Sequence, residues 1–180
     1  MRQVVLLRGI NIGPRNRVAM PRLRGLLAEA GYENVGTYVQ SGNVVLSSRR
    51  SPERLAREVP GLIADGFGLD IAVVVRTRDE LAEVVRRNPL GDVAKDPKRY
   101  QVSFCSAEPD AEVVRELAPL AVASERFVAH GRELYAWHPE GVARSKLWAK
   151  LAGRDLGVTA TARNWTTVVK LLELADERDA

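Results

Sequence analysis

The sequence predicts an α+β fold of two ferredoxin-like plaits in tandem, the second with extra C-terminal helices. Three observations predict it. Short apolar runs of strand character alternate with helix-period stretches in the order β-α-β-β-α-β over residues 3–87. A polar segment rich in turn residues, NPLGDVAKDPKR, interrupts the pattern at residues 88–99. After it the alternation begins again. The repeat is one of pattern, without visible sequence identity. The first plait is assigned to residues 1–88, and residues 98–180 to a second, incomplete or modified plait ending in two helices.

The elements follow in order. QVVLLR, residues 3–8, reads as a buried strand. In the next segment Met20, Leu23, Leu26, Leu27 and Ala30 recur at helical spacing, Pro21 suits the first turn and Gly31 the stop. Residues 35–39 and 43–47 are short strands around a QSGN hairpin turn. Ser51-Pro52-Glu53 opens a second helix with Leu55, Val59, Leu62 and Ile63 inward, and Pro60 is expected to kink or break it. DIAVVVR, residues 70–76, is a fourth strand, and Thr77 with Glu80 makes a capping box for a third helix. In the second half, residues 100–106 read as a strand, 110–118 as a helix, and 125–130 and 133–138 as strands around Gly131. Helices follow near 144–152 and 161–175, and the tail, DERDA, reads as a frayed end.

Composition narrows the function classes. With 46% hydrophobic and 28% charged residues the chain is an ordinary globular one, and no window supplies the roughly 18 apolar residues of a membrane span. The apolar run near the N-terminus is short and closed by Arg8, which makes a poor signal peptide and a good first strand. One cysteine, Cys105, fits a reducing compartment and is read as a packing thiol; the expected location is the cytoplasm. His130 and His138 flank a hairpin and are read as surface residues. No His/Cys spacing resembles a zinc site, and no cofactor is specified.

The net charge of +4 is uneven. Residues 1–90 carry 14 Arg and no Lys against 9 acids, a balance of +5, while residues 91–180 carry 13 basic residues against 14 acids. Six arginines precede the first acid, Glu29. Such asymmetry points to an anionic partner, with a solvated arginine-rich face as the plain alternative.

Strand direction places the candidate site. In a plait the β1–α1 connection (8–19), the β2–β3 hairpin (40–43) and the α2–β4 turn (66–69) fall at one sheet edge. RGINIG and QSGN are therefore expected to meet. Gly9 and Gly13 admit positive φ, Asn11 tolerates it, and Arg8, Arg15 and Arg17 supply forked donors for phosphate or carboxylate beside a helix start. The spacing is neither the dinucleotide fingerprint nor the P-loop. Ser41, Gly42 and Asn43 complete this edge. Near the C-terminus, Ser145 and Lys146 open a helix. A Ser–Lys dyad is disfavoured because adjacent helical residues point about 100° apart, so Ser145 is read as an N-cap and Lys146 as facing an anion. Arg163, Thr167 and Lys170 share a polar helical stripe, with Asn164 between them and Trp165 on the core side.

LLRGINIGPRNRVAM, TYVQSGNVVLSS, GVARSKL and TARNWTTVVKL together resemble the bacterial Domain of Unknown Function 1697 family over nearly the whole chain. The resemblance implies an α+β protein of two plait-like subdomains and assigns no reaction. Its characteristic positions here are Arg8, Gly9, Asn11, Gly13, Asn16, Met20, Gln40, Ser41, Gly42, Asn43, Ser145, Lys146, Arg163, Asn164, Trp165 and Lys170. Pro14 stands where glycine is common in similar sequences, and it removes one N–H donor from the loop.

Three functional classes follow. The leading one is a binder of a small phosphorylated or carboxylated ligand, in a cleft formed by the RGINIG loop, the QSGN hairpin and the SK and RNW helices. Its candidate residues are Arg8, Gly9, Asn11, Gly13, Arg17, Ser41, Gly42, Asn43, Ser145, Lys146, Arg163, Asn164 and Lys170. None of the four motifs contains an acid or a histidine, so no general base is visible and catalysis is left open. The second is a self-associating regulatory plait, on fold analogy alone, with the oligomeric state open. The third, nucleic-acid binding, is disfavoured: QVVLLR and NVVLSS have no aromatics, and Tyr100, Phe104, Tyr135 and Trp137 are read as offering no single stacking platform. No membrane partner is expected.

Overall fold

The computed structural model describes residues 1–177; the part of the DERDA tail from Arg178 onward lies outside the described residues. Among the described residues, compactness separates 1–82 together with 170–177 from Glu83–Val169.

The first unit contains β1 (Arg2–Leu7), α1 (Met20–Glu29), β2 (Glu33–Tyr38), β3 (Asn43–Ser47), α2 (Pro52–Phe67) and β4 (Val73–Thr77). Its sheet runs β2-β3-β1-β4 with every neighbour antiparallel, the plait order. Alternation sends Val5, Leu7, Val44, Leu46, Val73 and Val75 to the face covered by Leu23 and Leu27 of α1 and Leu55, Val59 and Ile63 of α2. Gln3 to Leu7 are all buried, which is why this strand reads as a continuous apolar run and not an alternating one. Ser51 caps α2 by accepting from Arg54 N at 3.3 Å, and Gly68 ends it at φ +67°. The expected break at Pro60 does not occur; α2 runs unbroken through it. The proline removes one N–H bond, while Leu55, Val59 and Ile63 keep the buried stripe packed on both sides of it. After β4 the chain enters α3 (Arg78–Arg87) at once. The predicted capping box closes it: Thr77 N donates to Glu80 Oε2 at 2.8 Å and Glu80 N to Thr77 Oγ1 at 3.1 Å.

The second sheet repeats the plan. It is built from β5 (Tyr100–Cys105), β6 (Arg126–His130), β7 (Glu133–Trp137) and β8 (Ala160–Asn164), in the order β6-β7-β5-β8 and antiparallel throughout. Its helices are α4 (Ala111–Leu117), prolonged by one 3-10 turn, and α5 (Lys146–Ala152); α6 (Trp165–Asp176) follows β8. Residues 160–164 correct the sequence reading, which began a helix at 161. ATARN has little strand propensity, but it lies along β5 from Gln101 to Cys105, and this ladder overrides local preference. Cys105 is fully buried in the helix-side core with Leu134, Leu147 and Leu151, a packing thiol as expected.

Two further expectations are corrected. Tyr100 pairs with Trp137 and Val102 with Tyr135, so the aromatic residues of β5 and β7 do share one face. That face is closed: Tyr100 is 1% and Tyr135 0% exposed, and Trp165 stacks on Tyr100 at 4.7 Å. His130 is exposed, as expected, but His138 is wholly buried, because β7 ends one residue before it and the chain turns inward there onto Glu125.

Candidate functional site

The loop edge of the first unit assembles as strand direction predicts. Leu7 N donates to Gly42 O and Arg8 N to Ala72 O, both at 2.9 Å, so the β1–α1 connection meets the hairpin and the segment before β4. Asn11, at φ +53°, is the clasp. Its Nδ2 donates to Val18 O at 2.9 Å and Gln40 O at 2.7 Å, and its Oδ1 accepts from Val18 N at 2.9 Å. Asn16 closes the same loop on Gly9 O at 3.3 Å. Gly42 is required twice over: φ is +84°, and a Cβ there would lie 2.7 Å from Leu7 Cβ and 2.9 Å from Ile10 Cδ1. Asn43 is buried beneath the hairpin and donates to Tyr38 O at 3.1 Å and Ser41 Oγ at 2.9 Å. Gly9 and Gly13 face open space and serve the backbone turn, with φ of +66° and +68°.

These residues frame a cavity of about 430 Å³, lined by Asn11, Arg17, Val18, Ala19, Arg22, Gln40 and Phe67. Arg17 is exposed and Arg8, at the end of β1, is half-buried. α1 begins at this cavity. Its cap residue, Ala19, offers no side-chain acceptor, and its first turn holds Pro21 and no acid. The helix start therefore presents positive potential between two guanidinium groups. The Arg22 guanidinium lies 4.6 Å over the Phe67 ring and also donates to Gly66 O. Arg22 and Phe67 were not among the sequence candidates. The first-turn position of Arg22 was a signal for it; Phe67 arrives from the far end of α2 and had none.

The C-terminal candidates lie on α5, β8 and α6 or at their starts. Ser145 caps α5, accepting from Trp148 N at 3.0 Å, as predicted. Its Oγ also donates to Glu125 Oε2 at 2.6 Å and lies 3.4 Å from His138 Nδ1. The same Oε2 contacts His138 Nδ1, and Glu125 Oε1 accepts from Val122 N at 3.2 Å. Burial pushes the Glu125 carboxyl up, but the bonds from Ser145 and His138 outweigh it and hold it below the ordinary value of 4.5. This is not a nucleophilic triad. The carboxylate sits between serine and imidazole, where a triad needs the imidazole between the other two. The group joins the turn before β6, the end of β7 and the start of α5; the sequence gives no sign of it. Lys146 is exposed at the first turn of α5.

Arg163 corrects the proposed polar stripe. It is a residue of β8, 8% exposed, donating to Thr161 Oγ1 at 2.7 Å and Ala162 O at 2.8 Å. Burial lowers its pKa to about 10, which leaves it charged at neutral pH. Asn164 caps α6, accepting from Thr167 N at 2.9 Å, and Lys170 pairs with Glu173 at 3.1 Å on its surface. Ser145, Lys146, Arg163 and Asn164 thus belong to the second unit and the loop-edge residues to the first. Among the described residues no three His, Cys, Asp or Glu side chains cluster as metal ligands, and no helix is long and apolar enough to cross a membrane.

Two four-stranded plaits and an arginine-bearing loop edge define an α+β protein of the two-plait class. The family model described as protein of unknown function (DUF1697) matches residues 1–135, and the chain belongs to that family. The matched part includes the RGINIG loop and the hairpin; GVARSKL and TARNWTTVVKL lie beyond it. Among solved structures, the chain is similar to the conserved bacterial protein SP0830 from Streptococcus pneumoniae, with a TM-score of 0.79, 22% identity, and coverage of 97% of this chain and 98% of that one. At that identity the likeness is one of fold. No curated protein matches the chain.

Proposed function

We propose that the protein binds a small phosphorylated or carboxylated ligand at the loop edge of its first unit. The observation that carries this reading is the cavity at the start of α1, where Arg17 and Arg22 flank a helix N-terminus whose cap is alanine. The second plait is an internal control. There the β5–α4 connection is Ser106–Asp110, SAEPD, and the β6–β7 turn is Gly131–Arg132. The first plait uses residues 8–19 and 39–42 for the same two connections. The second plait makes the same connections with shorter segments, and the extra length of the first supports a binding role for its loops. In this reading Asn11, Gly42 and Asn43 hold the loops in shape, Gly9 and Gly13 permit the turn, and Arg8 and Ser41 stand at its rim. No reaction is assigned. The single, buried Cys105 supports a cytoplasmic setting. Nucleic-acid binding draws support only from the arginine excess, since the aromatic face of the second sheet is closed.

The test is a thermal-shift panel at low salt with inorganic phosphate, sugar phosphates, nucleotides, dicarboxylates and a short single-stranded oligonucleotide. A ligand at a hundred times its Kd stabilises by about 2.7 kcal/mol. The expected result is a shift with a small anion that is lost in Arg17→Ala and in Arg22→Ala. No shift with any small anion, or one unchanged in both variants, overturns the reading.

A further inference from the structure

Two exposed apolar residues adjoin lining residues of this cavity in the chain. Ile12 is 77% exposed and Val39 51%, two of only five exposed large hydrophobic residues among those described. Ile12 follows Asn11 and Val39 precedes Gln40, and these two lining residues are joined by the 2.7 Å bond from Asn11 Nδ2 to Gln40 O.

Val39 is held there against its own preference. Its φ is +50°, a left-handed conformation that β-branched residues adopt only under strain. The carbonyls on both sides of it are fastened, Tyr38 O by Asn43 Nδ2 at 3.1 Å and Gln40 O by Asn11 Nδ2 at 2.7 Å. The equivalent turn of the second plait meets the same demand with a glycine, Gly131 at φ +55°. A glycine or asparagine at residue 39 would make the hairpin without strain, so the valine side chain is there for contact and not for the turn.

We infer that the ligand is an amphiphile, an anionic head carried on an apolar chain. The head sits between Arg17 and Arg22, and the first carbons of the chain lie against Ile12 and Val39. This rests on the anion-binding reading of the same cavity and narrows its ligand. Arginine donors match the head, and Phe67 and Val18 are the larger apolar residues of the lining. A sugar phosphate, with hydroxyls next to its phosphate, has nothing to place on Ile12 and Val39.

The experiment is calorimetric titration of the full chain with inorganic phosphate and with hexyl phosphate below its aggregation concentration. Hexyl phosphate is expected to bind about tenfold tighter, the gain that burying roughly two methylene groups supplies. Ile12→Ser and Val39→Gly are each expected to reduce that gain severalfold and leave the phosphate affinity unchanged. Val39→Gly should also raise Tm, since it relieves the φ strain, so its weaker binding could not be blamed on unfolding. Equal affinity for the two probes, or a gain that survives both substitutions, overturns the amphiphile and leaves the anion site standing. Failure of both probes to bind overturns this inference, and the anion site falls with it only if the wider panel of anions also gives no shift. Co-sedimentation with phosphatidylglycerol vesicles, without hexyl phosphate binding, would overturn a free amphiphile in favour of a lipid surface.

Discussion

Replacing Glu125 by alanine tests the buried clamp of the second unit. Glu125 is 6% exposed and its carboxylate serves three partners: Ser145 Oγ at 2.6 Å, Val122 N at 3.2 Å and His138 Nδ1. Each hydrogen bond is worth about 1 kcal/mol net, so the three together supply about 3 kcal/mol, and the cavity left behind adds to it. Removal also leaves the fully buried His138 facing an empty space. The expected loss is therefore about 3–4 kcal/mol, measured by urea unfolding at neutral pH with circular dichroism and tryptophan fluorescence. Trp148, edge-on to His138 at 5.8 Å, makes the fluorescence a local probe. The pH dependence has a definite sign. The Glu125 carboxyl lies below its ordinary value of 4.5, so its contribution is complete above that value and disappears as pH falls through the lower folded one. The stability difference between the wild type and Glu125→Gln should therefore shrink from neutral pH to about 3. A loss under about 1 kcal/mol in Glu125→Ala would refute the reasoning. So would a wild-type advantage over Glu125→Gln that stays constant down to that pH.

Three other substitutions probe the frame of the molecule. Gly42→Ala places a methyl 2.7 Å from Leu7 Cβ at φ +84°; a loss of about 2–4 kcal/mol in chemical denaturation is expected, and a neutral result would mean the hairpin moves freely away from the β1–α1 loop. Trp165→Ala removes the stack on Tyr100 from a half-buried site and should cost about 2–3 kcal/mol, less than a fully buried tryptophan would. Thr77→Ala removes the acceptor for Glu80 N and should cost about 1 kcal/mol, while Glu80→Ala removes the separate acceptor for Thr77 N, so the double variant should lose more than either alone. Both can be checked by thermal and urea unfolding.

Much of the first plait was legible because its signals are local. Val4 to Leu7, the capping box at Thr77 and the Pro21/Gly31 limits of α1 each depend on a few neighbouring residues. The meeting of RGINIG and QSGN was legible one level higher, since strand direction alone carries both loops to one edge. β8 was not. ATARN has no apolar alternation, and its identity as a strand comes from pairing with β5, some sixty residues earlier in the chain. Arg163 and Asn164 were accordingly placed on a helix they only precede. His138 was misread for the same reason: a histidine beside a turn is ordinarily solvated, and its burial depends on Glu125 and Ser145 arriving from two other elements.

The amino-acid sequence by itself determined the two-plait class, the capped starts of α2, α3 and α5, the excess of arginine in the first half and the edge at which the conspicuous loops collect. Periodicity, capping and charge are properties of short stretches and survive without a third dimension. Only the tertiary structure decided which side chains share a surface. It paired Arg22 with Phe67 beside Arg17, left Ile12 and Val39 exposed next to the lining residues Asn11 and Gln40, and gave Asn11 and Asn43 to holding the loops. These assignments depend on distances between residues far apart in the chain, and packing, which sets those distances, is not encoded in any one segment.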